Sequence, residues 1–177
     1  MLLPETTSSI SISSLSLLDE ENEDEEEEED TDEEDEYEED SDDEDKNKLI
    51  SVANKALVIG IENSIPGNRI GIISNAIEEY IISQGFEVVR EYVGHGIGSQ
   101  LHEPPSVPNF GKKNEGALLR VGMAIAIEPM VTQGKWQTKV LDDKWTVVTK
   151  DGKLSSHYED TILITEDGPE ILTKVSE

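Results

Sequence analysis

A histidine and two glutamates occupy apolar, strand-like segments of this 177-residue chain. His95 stands between two glycines, Glu128 directly follows an apolar run, and Glu159 shortly precedes another one. One imidazole and two carboxylates form an oxygen-rich ligand set that suits Mn, Fe, Co or Zn. A metal held in this way polarises a carbonyl and lowers the pKa of bound water towards roughly 7. The three residues therefore predict the chemistry of amide hydrolysis.

Each of these residues also has a plainer interpretation. For His95 it is a flexible glycine loop with an incidental histidine, and for Glu128 it is an outward-facing side chain, because strand residues alternate between faces. A carboxylate in so apolar a segment is costly without a cation or a donor, which favours the metal interpretation. Glu159 and Asp160 are neighbours, and spacing leaves open which of them faces inward. We predict that His157 is a surface residue rather than a ligand.

Most of the net negative charge of the chain lies in its first 45 residues. The formal net charge is -27, yet residues 1–45 hold 24 acidic residues and no basic one, whereas residues 46–177 hold 17 acidic and 14 basic residues. A run so rich in Asp and Glu cannot bury enough apolar surface to offset its ordering entropy. We therefore predict a disordered, Ser-rich and acidic tail over residues 1–45 and one domain over residues 46–177.

Composition also limits the compartment and the binding partners. The chain has no cysteine, which excludes disulfides and thiolate metal sites and fits a reducing compartment. No apolar run approaches the roughly 20 residues of a membrane span, and the start of the chain lacks the basic residues of a targeting sequence. The negative charge would repel nucleic-acid phosphates. We expect a cytoplasmic protein, with an organellar location left open, that binds neither membrane nor nucleic acid.

Apolar patterning predicts two helices followed by strands. In residues 69–83 apolar side chains recur at steps of three and four, which is typical of a helix with one buried face, and residues 48–61 also indicate a helix. Strands are expected at 86–92, 123–131, 136–141, 145–150 and 158–165.

The remaining segments predict loops and turns. A loop is expected where Gly94, Gly96 and Gly98 follow one another, and a second where prolines cluster in residues 104–108. Hairpin turns are expected at Asp142-Asp143, Asp151-Gly152 and Asp167-Gly168. Two helices followed by hairpin-linked strands indicate an α+β domain with an antiparallel sheet.

Several sequence segments together resemble a known family. They are residues 90–98 around Gly94-His95-Gly96, the segment His102-Glu103-Pro104-Pro105, residues 122–130 ending in Ile127-Glu128-Pro129-Met130, residues 145–151, and Tyr158-Glu159-Asp160-Thr161-Ile162. In this order and spacing they resemble the C-terminal part of type I methionine aminopeptidases. The resemblance implies the C-terminal half of a pita-bread fold, with a curved antiparallel sheet and two helices.

The resemblance implies a role for each candidate residue. His95, Glu128 and Glu159 correspond to three of the five ligands for divalent metal in the family, and Glu128 doubles as the base for the attacking water. His102 corresponds to a catalytic, substrate-binding histidine that steadies the tetrahedral intermediate. Trp145 and Leu101 correspond to walls of the methionine pocket, where Leu101 replaces a larger phenylalanine.

The family resemblance also implies two aspartate ligands on a hairpin before the first helix, where this chain has its acidic tail. We expect that the tail does not supply them, because an unanchored acidic run cannot hold carboxylates in ligand geometry. The expected function is metal-dependent removal of the N-terminal methionine from nascent proteins. We expect this function to be incomplete in the chain alone, so that a second chain would complete the fold.

Two alternatives to an enzyme stay open. The chain can be a non-catalytic binding module whose acidic tail contacts the ribosome or other basic proteins, or the product of a gene fragment that does not function. Tail-dependent binding to a basic partner would indicate the first alternative. A cooperative melting transition would contradict the second.

Overall fold

The computed structural model of the chain describes residues 41–174, which begin with two helices. Helix α1 spans Ser41–Glu62 and helix α2 spans Ile70–Ser83. Both predicted helices are present, and the described part of α1 reaches back to Ser41, inside the predicted tail. The proposed boundary after residue 45 therefore falls within α1. The rest of the predicted tail, residues 1–40, lies outside the described residues.

Helix α2 supplies the centre of the core. Ile70, Ile73, Ile77 and Ile81 form one stripe along it and are at most 1% exposed, which is the face that the sequence pattern predicts. The helix ends where Gly85 adopts a φ of +85°, a conformation that glycine adopts at little cost. Helix α2 packs against α1 and the first strand, and α1 packs against three later strands.

Ten short strands form three antiparallel sheets in the described part of the chain. They are β1 Glu87–Val88, β2 Gly94–Ile97, β3 Glu103–Val107, β4 Ala124–Ile127, β5 Met130–Thr132, β6 Thr138–Val140, β7 Val147–Thr149, β8 Ser155–His157, β9 Asp160–Thr165 and β10 Gly168–Ile171. The largest sheet has the order β10-β9-β4-β2-β3, the second has the order β1-β5-β8, and β6 and β7 form a separate hairpin. Every pair is antiparallel, which confirms the α+β class.

The glycine-rich and proline-rich segments are strands rather than the predicted loops. The glycine-rich segment forms β2, which lies between β3 and β4 in the five-stranded sheet. A Cβ atom built on Gly94 would lie 2.3 Å from the Ala126 carbonyl oxygen, and one on Gly96 would lie 2.4 Å from the Pro104 oxygen. These glycines therefore permit a close approach of neighbouring backbones. The proline-rich segment forms β3 at the sheet edge, where missing N–H donors are tolerated.

Other strand predictions are corrected in their limits. The predicted strand 123–131 is divided into β4 and β5 by a break at Glu128-Pro129, and the predicted strand 86–92 is reduced to β1. The turn at Asp151-Gly152 does not join a hairpin, because β7 pairs with β6 and β8 pairs with β5. The hairpin at Asp167-Gly168 is confirmed by the pairing of β9 with β10. Within the described residues, neither helix is apolar over a length sufficient to traverse a lipid bilayer.

Replacing Gly94 with Ala is expected to destabilise the fold. The added methyl group would meet a backbone oxygen of β4 at 2.3 Å, so two central strands would have to separate. Overpacking of this kind costs about 1–3 kcal/mol. Urea unfolding measures the loss, and Gly152→Asn, at an open turn position, is the control that should cost less. Equal stability of Gly94→Ala and the parent chain would show that the strands are not packed this closely.

Candidate metal centre

The candidate centre lies where a pair of strands passes from one sheet to another. Strands β4 and β9 pair up to Ile127, which is opposite Asp160, and β5 and β8 resume pairing at Met130, which is opposite His157. The register is the same on both sides of the break. The residues within the break therefore stay opposite each other without belonging to either sheet, and their side chains are available for a site.

Glu128 and Glu159 are opposite each other in this break. Because directly opposed residues of antiparallel strands point to the same face, both carboxylates and the imidazole of His157 share that face. Glu128, His157 and Glu159 each offer a ligand atom within 4.8 Å of the others, the distance range in which one metal ion can be held. Glu159 is exposed, but of the two acidic neighbours it is the one grouped with Glu128 and His157.

The carboxylate of Glu128 lies between two imidazoles. Its Oε1 atom is 3.4 Å from His95 Nε2, and its Oε2 atom is 3.9 Å from His157 Nε2. The Glu128 side chain is only 15% exposed. Burial raises the pKa of Glu128 from 4.5 to about 7, and the charge of Glu159 raises it as well, while His95 partly opposes the shift. The groups around Glu128 therefore do not supply enough positive charge to keep the pKa of its carboxyl group at the usual value.

The orientation of His95 leaves one ring nitrogen free to act as a ligand. Its Nδ1 atom is 3.0 Å from the carbonyl oxygen of Gly96, and because a carbonyl only accepts, Nδ1 carries the proton. In the neutral ring the Nε2 lone pair then points to Glu128 Oε1. Two acceptors 3.4 Å apart require a positive charge between them, which is either a proton or a metal cation.

The predicted surface position of His157 agrees with its partial exposure, but the side chain also lies next to the carboxylates of the centre. Its side chain is 40% exposed and belongs to the group with Glu128 and Glu159. Burial lowers the pKa of His157, and Glu159 opposes this only in part, so the neutral ring is favoured. The two-residue spacing between His157 and Glu159 was the sequence signal for a shared face.

Asn109 holds the backbone of Glu128 in place. This side chain is fully buried, and its Nδ2 atom donates to the carbonyl oxygen of Glu128 at 2.7 Å. The break between β4 and β5 contains Pro129, which has no N–H to contribute to a ladder. The hydrogen bond from Asn109 therefore replaces sheet pairing at the position where Glu128 must be oriented. The sequence analysis did not identify this residue.

The substrate-binding candidates are arranged differently from the ligands. The ring centroid of His102 is 4.2 Å from that of His95, with an interplanar angle of 53°, so His102 lies beside the centre. Leu101 is 69% exposed and Trp145 is 86% exposed. Neither of the latter residues lines the cavity next to Glu128. The described residues thus bring His102 to the centre but do not bring these two side chains to it.

A cavity of about 310 Å³ opens next to the centre, and Glu128 and His157 form part of its wall. Apolar side chains of Val89, Met130 and Val147 line it, together with threonine and serine residues of β5, β7 and β8. The cavity is large enough for water and a hydrated ion to reach the carboxylate. The centre is therefore accessible without rearrangement of the core.

This fold is that of a known class of hydrolases. Residues 38–166 match metallopeptidase family M24, and the chain belongs to that family. The most similar relatives include a methionine aminopeptidase of Clostridium perfringens, 53% identical over 128 residues, and methionine aminopeptidase 1 of Bacillus subtilis, 51% identical over 128 residues. The matches cover 72% of this chain but only 51% and 52% of those relatives.

Solved structures lead to the same fold. The chain matches the crystal structure of methionine aminopeptidase from Thermotoga maritima with a TM-score of 0.72 and 50% identity, over 73% of this chain and 52% of that one. It matches the prolidase of Pyrococcus horikoshii with a TM-score of 0.57 and 27% identity, over 76% of this chain and 33% of the other. The chain therefore has the C-terminal part of the pita-bread fold and spans about half the length of the curated relatives it matches.

Membership in a metallopeptidase family implies a divalent metal as cofactor, and the residues of the centre fit one. Glu128 Oε1 and His157 Nε2 are buried atoms without a hydrogen-bond partner in the described structure. Buried polar atoms are normally paired with protein groups, water or an ion. Imidazole nitrogens and carboxylate oxygens that face one another are donors to a cation of the Mn, Fe, Co and Zn group.

Proposed function

We propose that this chain is the C-terminal half of a metal-dependent aminopeptidase that removes the N-terminal methionine from nascent proteins. His95, Glu128 and Glu159 hold the divalent cation. The proposal depends above all on the contact of Glu128 with His95, in which a buried carboxylate and an imidazole lone pair require a positive charge between them. The named function of the relatives supports the choice of substrate.

The chemistry follows from the residues at the centre. A divalent cation would polarise the scissile carbonyl and lower the pKa of its bound water towards roughly 7. Glu128 accepts a proton from the attacking water, the role that the family resemblance implies for it, since a carboxylate within reach of that water can act as general base. His102 contacts the substrate and steadies the tetrahedral intermediate, and its position next to His95 supports this role.

Substrate selection is proposed to involve an apolar pocket for the methionine side chain. Trp145 and Leu101 each contribute a wall to it. Both side chains are exposed in the described structure, so the pocket would require covering groups from the half of the relatives that this chain does not match. The cavity next to Glu128 is separate from these two residues.

The metal is proposed to be Co, Mn, Fe or Zn. One imidazole and two carboxylates provide nitrogen and oxygen donors without sulfur, which suits all four ions and disfavours Cu(I). A further polypeptide would supply the two aspartates that the family resemblance implies. The acidic tail remains a predicted contact for the ribosome or other basic proteins, and a cytoplasmic location remains a prediction.

The proposal is tested by methionine release from a Met-Ala-Ser peptide. With Co²⁺ or Mn²⁺, the full chain is expected to release methionine slowly, and a chelator is expected to stop the release because the cofactor is removed. Glu128→Gln retains the size of the side chain and is expected to abolish release because the base and a ligand are lost. Release that is unaffected by the chelator or by Glu128→Gln would refute the proposed function.

A further inference from the structure

We propose that His157 is a metal ligand in this chain and binds a cation together with Glu128 and Glu159, an inference that rests on the proposed function because it concerns the same centre. The ligand set of the family resemblance contains His95 but not His157. The proposal therefore adds a second imidazole ligand to the site, on the side of Glu128 opposite His95.

The distances support this grouping. Glu128, His157 and Glu159 have ligand atoms that all lie within 4.8 Å of one another, and they are the one such set of three in the part of the chain that the structure describes. A cation contracts such a group slightly as it binds, since metal–nitrogen and metal–oxygen bonds are about 2.0–2.2 Å long.

The hydrogen bonding supports it independently. His157 Nε2 is buried and has no hydrogen-bond partner in the described structure, and at 3.9 Å from Glu128 Oε2 it is too far for a hydrogen bond. A purely structural histidine in a half-buried position would be expected to pair this atom. An unpaired nitrogen that faces two carboxylates is instead the arrangement expected of a metal ligand.

The backbone holds the three groups on one face. His157 ends β8 opposite Met130, and Glu128 and Glu159 face each other two residues away in the break. Helix α1 packs against β8 and β5 behind them. His95 lies on the side of Glu128 Oε1, and His157 lies on the side of Glu128 Oε2. The two imidazoles therefore face different oxygens of the same carboxylate.

The test is a Zn²⁺ titration of the full chain, followed through the imidazole nitrogens by ¹⁵N NMR. The chain has only three histidines, so each signal is assigned with one His→Gln variant. Residues 1–45 contain no histidine, which means that zinc bound loosely by the acidic tail does not appear in the spectrum. The Nε2 signal of His157 is expected to shift and to saturate.

A second measurement is the zinc affinity from competition with a chromophoric chelator. His157→Gln is expected to weaken zinc binding at least tenfold, since even the loss of a group that only supports a ligand costs about 10–100-fold. Lys139→Gln, an exposed change on β6, is the control and should leave the affinity as it is. Thermal melting of both variants verifies that they fold.

The outcomes separate this inference from the proposed function. A shift of the His95 signal without one from His157, or a His157→Gln affinity within twofold of the parent, would overturn the role of His157 and leave the proposed function intact. If none of the three imidazoles responds to zinc, the metal centre itself is wrong and both proposals fail. A saturable His157 response with weakened binding in His157→Gln would establish the ligand.

Discussion

Glu128→Gln is expected to make the metal-free chain more stable at pH 8, by about 3 kcal/mol, although the same change removes the proposed base. Glu128 is a mostly buried carboxylate whose pKa is raised from 4.5 to about 7 by burial and by Glu159. Each unit of pKa difference between the folded and the unfolded chain corresponds to about 1.4 kcal/mol. Gln has a similar shape and carries no charge, so it avoids this cost.

The sign of the pH dependence follows from the direction of the shift. A carboxyl group whose folded pKa is raised binds a proton more tightly in the folded chain than in the unfolded chain. Below pH 4.5 the parent and Glu128→Gln therefore have the same free energy of unfolding. As the pH rises from 4.5 towards 7, the free energy of unfolding of the parent falls below that of Glu128→Gln, and above pH 7 the difference is constant. The stability difference between the two proteins should vanish at pH 4 and reach a plateau at pH 8.

Urea unfolding of both proteins in the presence of a chelator, at a series of pH values, measures this difference. Glu166→Gln removes an exposed carboxylate from the turn between β9 and β10, and it controls for the change in net charge. Saturating Zn²⁺ should reverse the order of stabilities, because a ligand that binds only the folded parent stabilises it. If the stability difference between the two proteins did not depend on pH, burial and Glu159 would not raise the pKa of Glu128.

Residue types and spacing were enough to select two side chains that the structure places next to each other. The glycine-flanked His95 and the carboxylate of Glu128 were selected from their neighbours alone, and the structure brings their side chains to 3.4 Å. The stripe of isoleucines in α2 was likewise visible as a helical period and is buried. These are features in which short-range patterns and the final fold agree.

The features that were missed depend on pairing between distant segments. The sequence around Gly94 has the composition of a loop, but it is held as a strand by β3 and β4 on either side. His157 was predicted to be a surface residue rather than a ligand, and its nearness to Glu128 and Glu159 arises where the chain passes between two sheets. Asn109 acts on Glu128 from 19 residues away, and no local pattern indicates such a contact.

Adding the half of the relatives that this chain does not match is expected to raise methionine release at least 100-fold. The first part of the Bacillus subtilis relative is suited to this experiment, since its matched part is 51% identical to this chain over 128 residues. It would supply the aspartate ligands that the family resemblance implies, and with them a second charge-stabilising position. Loss of one preorganised charge-stabilising group alone typically costs about 10²–10³ in rate.

The exposed apolar residues indicate where such a half would bind. Among the described residues, Trp145 and Leu101 are the most exposed of the large apolar side chains, and Val140 on the β6–β7 hairpin is 52% exposed. An added half that covered these side chains would bury apolar surface, which stabilises the complex by about 25 cal/mol per Å². It would also close the proposed methionine pocket. Trp145→Ser is therefore expected to weaken both the association and the release of methionine, without reducing the stability of the chain alone.

The experiment compares methionine release from a Met-Ala-Ser peptide by the chain alone, by the added half alone and by the mixture, each with Mn²⁺. A mixture made with Glu128→Gln is the control, and it should stay inactive because the base is lost even when the fold is complete. Association is followed separately by analytical ultracentrifugation. Release by the chain alone at the rate of the mixture would show that His95, Glu128 and Glu159 need no further ligands, and the expectation of an incomplete centre would then be wrong.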